Sequence, residues 1–120
     1  MIKSLVKVLA VVVLLTGVSF ASRGEVQDES QVCASHILVK TAAEAVQIKK
    51  DIDNGGDFAT YARLYSLCPS SQNGGQLGCF GRGQMVPEFE RKAFSMETGE
   101  VSDPVMTQFG WHLIKVDAKK

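Results

Sequence analysis

The pattern of apolar and polar residues from position 32 onward predicts a strand followed by a helix. An unbroken apolar run at residues 37–39 is typical of a strand that is covered on both faces, and we predict this strand over residues 32–40. Thr41 then stands three residues before Glu44, which is the spacing of a helix capping box. Apolar side chains recur at helical intervals up to a glycine pair, which predicts a helix over residues 41–54 whose buried face carries Ala45, Ile48 and Ile52.

A second helical pattern begins after Asp57, whose side chain can cap a helix N-terminus. The apolar residues of this segment lie at i, i+3, i+4 and i+7, which places them on one face: Phe58, Tyr61, Ala62 and Tyr65. We predict that this helix ends near Ser66. Residues 68–71 favour a turn or a single helical turn, and the glycine-containing link at 73–75 leads into a short predicted strand over residues 76–80.

The last third of the chain has the pattern of one helix and two strands. Pro87 suits a first helical turn, and Phe89 lies on the buried face of a helix predicted over residues 86–96. A brief strand is predicted over residues 104–107 and a last strand over residues 111–116. Together these elements predict an α+β fold with the order β-α-α-α-β-α-β-β, in which about four helices surround a four-stranded, largely antiparallel sheet.

The first residues of the chain have a different pattern, which is typical of an export signal. A positively charged start is followed by the uncharged apolar residues 8–18 and by small residues that end at Ala21. This apolar stretch is shorter than a helix that spans a bilayer. We therefore expect a signal peptide over residues 1–21, a polar spacer over residues 22–31 and a single domain over residues 32–120. Cleavage of the signal would place the protein in the secretory pathway or another extracytoplasmic compartment without stable membrane insertion, and an uncleaved anchor is the alternative.

The charge of the chain argues against a polyanionic partner. The full chain of 120 residues carries 13 basic and 13 acidic side chains. Removal of the signal would take away Lys3 and Lys7 and no acidic residue, which leaves 11 basic against 13 acidic side chains. Because there is no basic run and no finger-type spacing, we expect no nucleic-acid partner. Nothing in the sequence indicates an obligate protein partner, so we expect a monomer.

The chain has three cysteines, Cys33, Cys68 and Cys79, so at most one disulfide can form within a molecule. An extracytoplasmic destination would permit a disulfide. Cys33 with Cys79 is one candidate pair, but the sequence alone does not place their Cα atoms within bridging distance. The sequence therefore leaves the pairing open.

Polar residues that could carry chemistry are few, and both histidines of the chain are among them. His36 and His112 each precede a short apolar run, in the first and last predicted strands. Imidazole and thiolate groups bind zinc, but His36, Cys68 and His112 are separated by more than thirty residues each, and neither histidine has a carboxylate at i+3 or i+4. We expect no metal and no cofactor. A cysteine nucleophile is a second alternative, although Cys68 is followed by proline and no oxyanion-hole loop is evident.

Three phrases in the sequence carry a resemblance to a known family. They are HILVK at residues 36–40, CPSSQNGGQLGCFGRGQMVPEFE at residues 68–90 and TQFGWHLIKV at residues 107–116. In this order and with these gaps, the chain resembles the parvulin family of peptidyl-prolyl cis/trans isomerases over residues 32–117. The β-α-α-α-β-α-β-β fold of that family agrees with the order of elements predicted above.

The resemblance implies roles for eight residues. A bonded pair of histidines would lie at the base of the site, faced by a cysteine and next to a hydrogen-bonding threonine: His36, His112, Cys68 and Thr107. The pocket for the proline ring would be formed by Leu77, Met85 and Phe89, with Phe109 at its border. On periodicity alone, Met85 and Phe89 would be interpreted as core residues.

The resemblance also implies a reaction and a substrate class. The site would stabilise the twisted amide of an X-Pro bond in proline-containing unfolded or extended polypeptides, and so assist protein folding. Phosphorylation-directed parvulins carry basic residues in a loop after the first strand, whereas here Lys40 runs directly into Thr41 and the helix. We therefore expect an isomerase that does not require phosphate. The alternative is a non-catalytic module or chaperone that binds proline-containing segments.

Overall fold

The computed structural model of the protein describes residues 30–120, so the predicted signal peptide and residues 22–29 of the spacer lie outside the described residues. The observed elements have the predicted order. The strands and helices are β1 (Gln31–Val39), α1 (Ala42–Asp53), α2 (Phe58–Tyr65), a short 3-10 helix (Pro69–Asn73), β2 (Gln76–Gly81), α3 (Pro87–Ser95), β3 (Val105–Thr107) and β4 (Gly110–Lys119).

The two side chains that were predicted as helix N-caps lie at the N-termini of the first two helices. Thr41 accepts a hydrogen bond from the backbone N–H of Glu44 at 3.1 Å and caps α1. Asp57 accepts one from the backbone N–H of Thr60 at 3.0 Å and caps α2. These bonds satisfy backbone donors that no helical carbonyl reaches. The two helices therefore begin within one residue of their predicted positions.

The four strands form one antiparallel sheet in the order β2-β1-β4-β3. The predicted α+β class and the largely antiparallel sheet are confirmed. The first and last long strands, β1 and β4, are neighbours in the centre of the sheet, and β2 and β3 lie at its edges. Strand β4 is longer than the predicted 111–116, because residues 118 and 119 pair with Cys33 and Val32 at the far end of β1.

Alternating residues of the central strands face two separate hydrophobic clusters, as the period of two of a strand requires. One face packs on α3 and includes Val32, Ala34, Ile114 and Val116 from the strands, together with Phe89 of α3. The opposite face packs on α1 and α2 and includes Ile37, Val39 and Leu113. His36 and His112 have the parity of the first set, which places both rings on the α3 face.

A disulfide joins Cys33 of β1 to Cys79 of β2, two residues that are paired directly across the two strands. The pairing that the sequence left open is therefore Cys33 with Cys79, and Cys68 is a free thiol. None of the helices in residues 30–120 has the length and apolar character needed to span a bilayer.

Candidate active site

The centre of the site is a pair of stacked imidazole rings on the two middle strands. Leu38 of β1 is the register partner of His112, and His36 is the partner of Ile114, so the two histidines are diagonal neighbours on one sheet face. Their Nδ1 atoms lie 2.9 Å apart, and their ring planes differ by 21°. Both residues are buried, with 5% and 3% of their surface exposed.

The hairpin between β3 and β4 extends this hydrogen-bonded pair by one residue. The hydroxyl oxygen of Thr107 lies 2.7 Å from Nε2 of His112. The same oxygen accepts the backbone N–H of Phe109 at 3.1 Å, which orients the Thr107 side chain. Gly110 completes the turn with φ +135°, and a Cβ at this position would collide with the carbonyl oxygen of Val39. The tight turn therefore needs glycine to bring Thr107 against His112.

Two arrangements of protons satisfy the distances between Thr107, His112 and His36. In the first, the Thr107 hydroxyl donates to Nε2 of His112, and Nδ1–H of His112 donates to Nδ1 of His36. In the second, both bonds run in the opposite direction. Each arrangement has two neutral rings with one proton between the Nδ1 atoms. This row of hydrogen bonds ends at Nε2 of His36, which is buried and has no hydrogen-bond partner among residues 30–120.

Burial keeps both rings neutral at pH 7. Loss of hydration lowers the pKa of His36 from 6.5 to about 4, and the neighbouring His112 lowers it in the same direction. Loss of hydration also lowers the pKa of His112. The pair is therefore an uncharged network of hydrogen bonds rather than a cationic site.

An apolar cavity of about 350 Å³ lies over the two imidazoles. Phe89 of α3 approaches both rings edge-on, with centroid distances of 5.6 Å to His36 and 5.4 Å to His112. Pro87 occupies the first turn of α3 and sets the start of the helix that presents Phe89. The cavity is completed by side chains from β1, β2, the start of the 3-10 helix and the segment before it, the approach to α3 and the hairpin turn: Leu38, Leu67, Cys68, Pro69, Leu77, Met85, Val86 and Phe109.

Cys68 reaches the cavity from the segment between α2 and the 3-10 helix. Two hydrogen bonds attach this segment to β1: the N–H of Leu67 donates to the carbonyl of Leu38 at 2.8 Å, and the N–H of Leu38 donates to the Ser66 hydroxyl at 3.0 Å. Cys68 is half-buried and lines the cavity. Its thiol forms no hydrogen bond with Nε2 of His36, an atom that has no partner within the described part of the chain.

The structure brings all eight sequence-predicted residues to this site. Seven of them line the cavity, and Thr107 lies behind His112, in contact with the ring but not with the cavity. Four further residues line it that the sequence analysis did not select: Leu38, Leu67, Pro69 and Val86. Leu67 and Phe109 are 56% and 60% exposed and also line the cavity, which places them at its mouth. Among residues 30–120, no three His, Cys, Asp or Glu side chains are grouped so that they could hold a metal ion.

Comparison with protein families identifies one match that covers most of the described chain. The model of the rotamase family, described as the PPIC-type PPIase domain, matches residues 35–118. The foldase protein PrsA of Geobacillus kaustophilus is 52% identical over 88 residues, which are 72% of this chain and 31% of that protein. The parvulin-like PPIase of Rickettsia conorii is 46% identical over 101 residues, which are 81% of this chain and 36% of that protein. The chain thus spans about a third of the length of these relatives.

Solved structures give the same grouping. The crystal structure of the peptidylprolyl isomerase PrsA from Bacillus anthracis superimposes with a TM-score of 0.75 and 43% identity, covering 77% of this chain and 43% of that chain. The solution structure of NmPin, the parvulin of Nitrosopumilus maritimus, gives a TM-score of 0.70 and 36% identity, covering 77% of this chain and all of that chain.

Proposed function

The chain belongs to the PpiC-type, or parvulin, family of peptidyl-prolyl isomerases, and we propose that it catalyses cis/trans isomerisation of X-Pro bonds in unfolded or extended polypeptides. The observation that carries this proposal is the apolar cavity of about 350 Å³ above the hydrogen-bonded histidine pair. The cavity accepts a small apolar ring, and the pair presents buried polar atoms beneath it.

The reaction requires no bond to be broken. Rotation about an X-Pro bond must remove amide resonance, which opposes it with a barrier of roughly 18–20 kcal/mol, and uncatalysed exchange takes tens to hundreds of seconds. A catalyst needs only to bind the twisted amide more tightly than either planar form. Leu77, Met85 and Phe89 would hold the proline ring while the preceding carbonyl turns outside the apolar part of the cavity.

The apolar lining favours the twisted amide for an electrostatic reason. A planar amide has more charge separation between oxygen and nitrogen than a twisted one, so removal of water disfavours the planar forms more strongly. A cation at the base of the cavity would oppose this effect by stabilising the partial negative charge of the planar carbonyl. The lowered pKa values of His36 and His112 keep the base uncharged and so preserve the preference for the twisted form.

The polar residues would act by position and by hydrogen bonding. Thr107 and His112 orient the His36 ring, and the linked hydrogen bonds of the three side chains would set the electrostatic field at the base of the cavity as the amide rotates. We propose an electrostatic role for the Cys68 thiol rather than covalent attack, because rotation needs no covalent intermediate. The thiol lines the cavity but lacks the hydrogen bond to histidine that would activate it.

We propose that phosphate before the proline is not required. The residues that line the cavity include no lysine or arginine, which are the side chains that bind phosphate. Lys40 follows β1 and is succeeded at once by Thr41, the cap of α1, so no loop exists there to carry a basic cluster. The exposed apolar side chains of Leu67 and Phe109 at the mouth favour apolar or small residues next to the proline.

We further propose that the protein works outside the cytoplasm, on polypeptides that are folding there. Two features support this proposal. The N-terminal sequence has the pattern of an export signal, and the Cys33–Cys79 disulfide is of a kind that persists in oxidising compartments. N-terminal sequencing of the protein recovered from fractionated cells would test both the compartment and cleavage after Ala21.

The proposed activity is tested by a pair of matched substitutions. Met85→Ala removes one wall of the cavity, and we expect it to lower kcat/KM for an Ala-Pro peptide by at least about tenfold, since small changes in an apolar pocket have effects of this size. Met106→Ala is the control, because Met106 is 61% exposed and lies outside this cavity. It should change kcat/KM by no more than about twofold.

A third outcome separates catalysis from binding alone. If the wild-type protein bound proline-containing peptides and left their exchange rate unchanged, it would be the non-catalytic binding module instead. Equal effects of Met85→Ala and Met106→Ala on a measurable rate would place the activity outside this cavity.

A further inference from the structure

One wall of the cavity belongs to a weakly anchored strand. Leu77, which lines the cavity, lies on β2 at the edge of the sheet, where it has a neighbouring strand on one side only. Gly78 interrupts β2 with φ +79°, and the register between β2 and β1 shifts beside it. Glycines and register shifts weaken strand pairing because they reduce side-chain packing and break the ladder of hydrogen bonds.

Few side chains of β2 pack against the rest of the domain. Phe80 is buried in the cluster on the α3 face, and Leu77 is half-buried. Gln76 and Cys79 are exposed and add little packing. An edge strand with this composition is expected to open more readily than the central strands.

The disulfide supplies a second attachment at this position. Cys79 lies two residues after Leu77, and its partner Cys33 lies three residues before His36 on the central strand β1. A covalent bond thus ties the strand that carries one cavity wall to the strand that carries the base of the site. Cys33 is 8% exposed, whereas Cys79 is an exposed residue.

We propose that the Cys33–Cys79 disulfide positions the Leu77 wall of the cavity, so that its redox state sets the affinity of the site for proline-containing substrates. The proposal rests on the isomerase function proposed above. In the disulfide form β2 is held against β1, and the wall is ordered before substrate binds. In the dithiol form β2 opens more often, and part of the binding free energy is spent on ordering Leu77.

The reduction is a two-electron exchange with an external dithiol. A thiolate of the dithiol attacks Sγ of Cys79, the more exposed residue of the two, and Cys33 leaves as a thiolate that takes up a proton. The second thiol of the reductant then attacks its own mixed disulfide and releases Cys79. The products are two protein thiols and the cyclic disulfide of the reductant, and the thiol of Cys68 is unchanged.

Reduction should leave the histidine network in place. His36, His112 and Thr107 lie on β1, β4 and β3, which do not include β2. Strands β1 and β4 pair along their lengths, from Val32 with Lys119 to Val39 with Trp111. The expected signature is therefore a change in KM with little change in kcat, as for loss of uniform binding.

The experiment compares the oxidised protein with the protein reduced by dithiothreitol, with the thiol number counted by alkylation and mass spectrometry. One thiol is expected in the oxidised form and three in the reduced form. We expect KM for an Ala-Pro peptide to rise by about three- to tenfold on reduction, with kcat within about twofold. The double variant Cys33→Val/Cys79→Thr places residues that favour strands at both positions and lacks the bond. It should have the raised KM with or without dithiothreitol.

Amide hydrogen exchange gives a readout that does not depend on catalysis. On reduction, the amides of residues 76–81 should exchange faster while those of residues 111–116 keep their protection. An unchanged KM together with unchanged exchange in 76–81 would overturn the inference, as would an equal loss of protection in both segments. If no isomerase activity were found in either redox state, the proposed function would fall, and the exchange rates would still decide whether the disulfide holds the wall.

Discussion

Lowering the pH from 7.5 to 5 should destabilise the fold through its two histidines. The folded protein keeps His36 neutral because burial lowers its pKa to about 4, whereas the unfolded chain protonates it near 6.5. Between these two values the unfolded state binds a proton that the folded state does not. The contribution of His36 to the free energy of unfolding therefore falls as the pH falls through this window, and this contribution levels off below about pH 4.

The size of the effect follows from the two pKa values of His36. With 6.5 for the unfolded chain and about 4 for the folded protein, the loss is about 2 kcal/mol at pH 5 and about 3 kcal/mol at pH 4, relative to pH 7.5. His112, whose pKa is also lowered, adds to the loss in the same direction. A loss of about 2 kcal/mol is a large part of the 5–15 kcal/mol that stabilises a typical domain.

Urea denaturation followed by circular dichroism measures this loss directly. Slopes of about 1–3 kcal/mol per molar urea for small proteins convert it into a midpoint lower by about 0.7–2 M at pH 5 than at pH 7.5. Few carboxylates titrate between these pH values, and the chain has only two histidines, so the change reports on the pair. The variant His36→Asn should lose most of the dependence. Equal unfolding free energies at pH 7.5 and pH 5 in the wild-type protein would show that the rings are not buried as a neutral pair.

Three further predictions concern the surroundings of the pair. Gly75→Ala should lower the free energy of unfolding by clearly more than Gly99→Ala, in a urea titration of both. The two glycines have φ +88° and +90° and so share a backbone strain of about 1–3 kcal/mol, but only at Gly75 would a Cβ strike the carbonyl of His36. Cys68→Asp should retain substantial activity in a protease-coupled assay, and complete loss in a folded variant would favour covalent attack. A phosphoserine-proline peptide should have a kcat/KM less than about tenfold above that of its serine-proline counterpart, and a larger preference would contradict the absence of a phosphate site.

Local signals predicted the helices well, because their starts depend on neighbouring residues. Thr41 and Asp57 each bond an N–H three residues ahead, and such a contact is visible as a spacing in the sequence. The end of β4 was not predicted, since residues 118 and 119 owe their strand conformation to Cys33 and Val32, more than eighty residues away. Pattern alone does not encode that pairing.

The site residues could likewise be predicted only in part, because some of their positions depend on contacts between distant parts of the chain. The meeting of His36 with His112 depends on the register of Leu38 against His112, which no spacing within either strand reveals. Resemblance to a family, rather than periodicity, selected Met85 and its neighbours, which apolar spacing would assign to the core. Leu67 was missed because it lies between elements, where no periodicity marks it, and hydrogen bonds that join Leu38 to its own N–H and to the Ser66 hydroxyl hold its segment beside the cavity.

We propose that one cavity both binds the proline ring and accelerates rotation of the bond before it. Two-dimensional exchange NMR on an unphosphorylated Ala-Pro peptide with the full chain tests both parts in one sample. We predict exchange cross-peaks between cis and trans peptide on a sub-second scale, against tens to hundreds of seconds unaided, together with contacts from the proline ring to the Met85 methyl group. Contacts without exchange cross-peaks, or exchange with the proline ring away from Met85, would contradict this proposal for the cavity.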